Sequence, residues 1–190
     1  LIEEGAEDFC DIQSKIIEWQ EKFDNNSDLN QYDKHFKKGY QLFLNKSFNE
    51  AIKELALALE YVPQKKEAML ILSECLFDTE QFQESSNLAL EGFRLCQRNN
   101  DYTYFDDFCY LLGSYYYDKE KDYKEALNYF LHALKHNPKV DYFFYIGHCY
   151  LKLEDYDRAN DLYKKCATLD PQNKAKYLEY QALCVKKQNE

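Results

Sequence analysis

GHCYLKLEDYDRA, residues 147–159, is the stretch whose reading decides how this chain folds. It opens on a glycine and closes twelve residues later on an alanine, and Pro171 follows twelve residues beyond that. Two antiparallel helices can cross closely only where their side chains are small. A proline ends a helix because it cannot continue the hydrogen-bond ladder and restricts the residue before it. Gly147 and Ala159 therefore mark the crossing of a helix pair, and Pro171 marks its end. The same markers recur at nearly the same spacing upstream, as Gly39, Ala51 and Pro63, and as Gly113, Ala126 and Pro138. The chain has only three prolines, and each lies 24 or 25 residues after a glycine. Fixed spacing of the two strongest local punctuators means a repeated supersecondary unit.

The step from Gly113 to Gly147 is 34 residues, and this register divides the chain into four units: 32–65, 66–99, 106–139 and 140–173. The second is degenerate. It has Ser73, Ser85 and Gly92 at the small positions and lacks the proline, so the weakest joint is expected at residues 92–105. The third carries one extra residue in its 118–123 turn. No single pair can bury its own apolar face, so the units must stack. Residues 1–23 read as an N-terminal amphipathic helix with Phe9, Ile12, Ile16 and Trp19 on one stripe. Residues 24–31 read as a polar linker, and residues 174–190 as a capping helix with Tyr177, Tyr180, Leu183 and Cys184 toward the stack.

Composition narrows the function. With 18 Tyr and 13 Phe among 190 residues there is ample apolar surface for a core, and five glycines leave little room for hairpins. The expected class is all-α. A net charge of −10 disfavours nucleic acid and anionic membrane surfaces, and favours neutral or basic protein partners. No run is long and apolar enough for membrane insertion. Seven cysteines with no close pairing predict reduced thiols and a cytoplasmic protein. His132 and His136 have a spacing that can hold a metal, but no further ligand converges in the sequence, and they are read as a solvated helix face. No phosphate loop or nucleophile elbow is present, so no catalytic residue, cofactor or metal is assigned, and the chain is expected not to be an enzyme.

On GHCYLKLEDYDRA and its partial copies, the chain resembles the tetratricopeptide-repeat family over residues 32–187. The resemblance implies a right-handed superhelical stack whose concave groove, lined by the first helix of each pair, binds peptides or helices of partner proteins. Carried over by position, the groove residues are Phe36, Tyr40 and Phe43 in unit one, then Leu70, Glu74 and Phe77 in unit two. Asp107, Tyr110 and Tyr117 follow in unit three, and Asp141, Phe144 and His148 in unit four. Such a groove has an apolar, aromatic floor and an acidic edge, suiting an apolar segment with basic flanks.

Members that clamp a C-terminal carboxylate place Lys, Asn and Arg where this chain has Phe36, Tyr40, Ile71, Asp107 and Leu111, so that clamp is missing. The leading expectation is a non-enzymatic interaction module of adaptor, scaffold or co-chaperone type. The segment from Gly147 to Leu153 and the Lys-rich end also resemble the last repeat of bacterial type III secretion chaperones for translocators. Those proteins usually have three units. The remaining alternatives are a structural spacer of a larger complex, a homodimer formed through residues 1–23, and autoinhibition by docking of the Phe9, Ile12, Ile16 and Trp19 stripe into the molecule's own groove.

Overall fold

The computed structural model describes residues 26–190, and every regular element among them is helical. α1 covers residues 26–44. It is followed by α2 (Phe48–Tyr61), α3 (Lys66–Asp78), α4 (Phe82–Asn99) and α5 (Phe105–Tyr115). A π-helical turn at Tyr116–Glu120 leads to α6 (Tyr123–His136), α7 (Val140–Lys152) and α8 (Tyr156–Leu169). A short 3-10 turn then leads to α9 (Lys174–Gln188). Each helix packs on the next in sequence, the arrangement of a superhelical stack. The N-terminal amphipathic helix expected over residues 1–23 lies outside the described residues.

The small-residue markers do what sterics demands. A Cβ built on Gly147 would lie 2.9 Å from Cε1 of Tyr163, and one on Gly113 would lie 2.7 Å from Cε1 of Phe130. Each glycine thus lets a large ring from the second helix fill the pair. Unit two solves the same crossing with polar atoms: the Ser85 hydroxyl donates to the Ser73 carbonyl at 2.7 Å, and both serines are buried. Gly92 lets the ring of Phe108 pack closely, so α4 runs unbroken to Asn99. The irregularity expected over residues 92–105 is confined to Asn100–Tyr104, where Asn100 and Tyr104 take left-handed backbone. The Lys66 ammonium ties that joint down, donating to the Asp101 carbonyl at 2.9 Å.

Two local readings change. Residues 26–31, expected as linker, are helical and continue directly into the first pair. Their Asn, Ser and Asp side chains are solvent-exposed, and the modest propensity cost is overridden by the tertiary anchoring of Tyr32, which is 5% exposed. The extra residue of unit three is absorbed by the π turn, where Asp122 N–H donates back to the Tyr116 carbonyl at 3.0 Å. That wider turn carries Asp118 onto the concave side. His132 and His136 are exposed, as expected of a helix face, but His136 also lies against Tyr102 and Phe105, with centroids 4.7 and 4.5 Å away.

Candidate functional site

The first helices of the pairs, α1, α3, α5 and α7, line one face of the stack. On α1, four rings form a ladder at helical spacing. Tyr32 stacks on Phe36 at 5.5 Å, Phe36 on Tyr40 at 6.1 Å and Tyr40 on Phe43 at 6.4 Å. Tyr40 is 41% exposed, so this row presents apolar area to solvent. The ladder ends at a cavity of about 300 Å³ walled by Phe43, Glu74, Phe77, Tyr110 and Tyr145, with Asp78, Ser114 and Asp118 at its rim. A second cavity, of about 430 Å³, shares Glu74, Tyr110 and Tyr145 with the first and adds Asp107, Asp141, Lys139 and Tyr142.

Of the twelve residues assigned from the sequence, these cavities bring together Phe43, Glu74, Phe77, Asp107, Tyr110 and Asp141. Phe36 and Tyr40 adjoin them through the α1 ladder. Four assignments require correction or relocation. Leu70 is buried, because residues Ala68–Ser73 of α3 are apolar or small on every side and are enclosed by neighbouring helices. Tyr117 packs against Tyr123 at 5.2 Å and faces His148 at 6.4 Å, away from both cavities. Phe144 is only 8% exposed, because α9 lies on it: its ring meets those of Tyr177 at 5.6 Å and Tyr180 at 5.3 Å. His148 is held in the same cluster, with Nδ1 2.6 Å from the Tyr163 hydroxyl and Tyr180 at 4.6 Å.

Tyr145 is the residue that sequence reasoning missed. It stacks on Phe130 at 5.2 Å, and its hydroxyl shares a 3.0 Å hydrogen bond with that of Tyr110. Helical neighbours point about 100° apart. Phe144 therefore turns toward α8 and α9 while Tyr145 turns toward α5.

Electrostatics separate the two ends of this face. Asp106 sits behind the second cavity and accepts from Asn137 Nδ2 at 2.8 Å, Lys139 Nζ at 2.9 Å and the Tyr142 hydroxyl at 2.9 Å. Burial pushes its carboxyl up, but these donors together outweigh burial and hold it below the ordinary carboxylate range. Lys139 also reaches Asp107 at 3.5 Å. Burial and the Asp106 charge still raise the Asp107 carboxyl.

Glu74, shared by both cavities, has no hydrogen-bond or ion-pair partner among the described residues. Burial, then the like charges of Asp107 and Asp78, push its carboxyl up to about 7. At the other end, burial, then Lys176 and Lys152, push His148 down to about 4. Burial raises the Cys75 and Cys149 thiols to about 12, which leaves them poor nucleophiles. Among the described residues, no cluster of His, Cys, Asp and Glu is arranged to hold a metal, and no helix is long and apolar enough to cross a membrane.

Comparison with known proteins bears out the fold. Residues 106–140 and 140–173 each match the family model for the tetratricopeptide repeat. No curated protein matches the sequence. Among solved structures, YrrB, described as a TPR protein with an unusual peptide-binding site, aligns with a TM-score of 0.69 at 18% identity, over 82% of this chain and 76% of its own. MamA of Desulfovibrio magneticus RS-1, from residue 41 to the end, aligns with a TM-score of 0.66 at 15% identity, over 84% and 96%. A Rap protein complexed with Competence and Sporulation Factor aligns with a TM-score of 0.63 at 21% identity, over 84% of this chain and 49% of its own. At such identities the likeness is one of fold.

Proposed function

Since the chain is a tetratricopeptide-repeat protein, we propose that it is a non-enzymatic adaptor whose concave face takes an apolar or aromatic segment of a protein partner carrying basic residues. The carrying observation is the run of rings on α1, from Tyr32 to Phe43, leading into a cavity walled by Phe77, Tyr110 and Tyr145 and rimmed by carboxylates. Apolar anchors seated there would each contribute roughly 1.5–3 kcal/mol before ordering costs. The rim charges would steer encounter and select against acidic partners. Peptide binding in YrrB supports the reading by analogy of fold. The six described cysteines are buried and unpaired, which supports a reducing, cytoplasmic setting.

The test starts from panning a displayed library of random dodecapeptides on the full chain. An enriched peptide is then synthesised and titrated calorimetrically against the wild type and the double variant Phe77→Ala/Tyr110→Ala. At least tenfold weaker binding by the variant, with far-UV helicity retained, is the expected result. Equal affinity would move the site off this face, and a library that yields no binder would remove the reading altogether.

A further inference from the structure

At several places on the described residues an aromatic ring is met by one of the chain's own cations. Lys139 lies 5.5 Å from the Tyr142 centroid while pairing with Asp106 at 2.9 Å. Lys119 stands 3.4 Å over Phe82, and Lys176 stands 4.0 Å over Phe144. The cavity walled by Phe77, Tyr110 and Tyr145 is different. It has the rings and it has carboxylates at Glu74, Asp78 and Asp118, yet among the described residues no lysine or arginine lines it. Lys139, the nearest cation of the neighbouring cavity, is already engaged by Asp106 and Asp107.

An unpaired carboxylate that is largely buried among like charges costs stability unless something compensates it. We infer that this cavity reads a lysine or arginine side chain of the bound segment, held by Glu74 against the Tyr110 and Tyr145 rings. The inference rests on the groove reading above and sharpens it: the basic residue is a central anchor, seated among α1, α3, α5 and α7, rather than a flank at the rim.

Three features of the molecule choose this occupant. Charge complementarity favours an organic cation, and ring faces strengthen it through cation–π attraction. A volume of about 300 Å³ has room for a long side chain. The chain's own first 25 residues are a poor occupant, since they carry eight carboxylates against two lysines. Around Glu74 the charged and titratable groups are Asp78 on α3, Asp107 and Tyr110 on α5, Asp118 in the π turn, and Asp141, Tyr142 and Tyr145 on α7. Among the described residues, Lys139 is the one cation that lines either cavity. Protonating Glu74 would therefore weaken capture of a cation, and burial and the neighbouring Asp107 and Asp78 charges favour that protonation.

The dodecapeptide library is panned in parallel on the full-length wild type and on Glu74→Gln. Wild-type selection is expected to enrich a lysine or arginine beside an aromatic residue, and Glu74→Gln selection to keep the aromatic and lose the basic preference. One enriched peptide and its Lys→Met version (Arg→Met where arginine is selected) then complete a double-mutant cycle. The peptide change should weaken wild-type binding about tenfold and Glu74→Gln binding less than twofold. Binders with no basic preference, or equal losses on both proteins, would overturn the inference while leaving the groove reading intact. Absence of any binder would remove both. Because the peptide-side change is also measured on the unaltered protein, a Glu74→Gln chain that fails to fold leaves the basic preference testable: no loss there would still overturn it.

Discussion

The two ends of the concave face are built from the same kinds of residue and meet opposite fates. At the unit-four end, Phe144 and His148 are covered by Tyr177 and Tyr180 of α9, and Lys176 stands over the Phe144 ring at 4.0 Å. Further along the face, Phe43, Phe77, Tyr110 and Tyr145, one from each unit, surround a cavity whose carboxylates have no cation beside them among the described residues. One end is completed by the chain itself. The other is left open among the described residues. The contrast shows that position in the repeat does not by itself make a binding residue; what the next element places on it decides.

The largest effect that could break this contrast is Phe144→Ala. If Phe144 is structural, its truncation should cost about 3–5 kcal/mol, as for a buried aromatic, and lower Tm by roughly 6–15 °C. Binding of the selected peptide should change less than twofold. A peptide affinity that collapses at unchanged Tm would return Phe144 to the site.

A smaller effect sharpens the other side. The folded-state pKa of Glu74 is raised to about 7, above its ordinary value of 4.5. The folded protein therefore binds this proton more readily than the unfolded chain does, and the cost of the ionised carboxylate is present above pH 7 and disappears as pH falls toward 4.5. Glu74→Gln removes that cost. With solvent screening discounted, about 1 kcal/mol is expected at pH 8, a rise in Tm of roughly 2–4 °C that vanishes near pH 5. Thermal melts at the two pH values check it. A variant less stable than the wild type at pH 8 would mean that Glu74 has a partner in the fold.

Much of the scaffold was legible because single residues carry single constraints. Gly147 and Ala159 can be read from spacing alone, since only small residues allow the crossing that Tyr163 then fills. The one-residue excess in unit three was visible as a count, although not as the π turn that swings Asp118 into the cavity. The site was less legible. Phe144 and Tyr145 are both aromatic, so the pattern could not tell which one faces α5. Leu70 carries the apolar character of a groove floor and of a core alike, and the enclosure of Ala68–Ser73 selects the core. Residues 26–31 read as linker because Asn, Ser and Asp favour turns locally, while the anchoring that makes them helical comes from Tyr32, further along.

The central claim is that the open cavity, and not the α9-covered end or the convex face, receives the partner. Amide chemical-shift mapping of the full chain during titration with a library-selected peptide tests it most directly. The account predicts that the largest shifts cluster at residues 36–43, 74–78, 107–118 and 141–145. Shifts centred on α4, α6 and α8, or on α9, would contradict it.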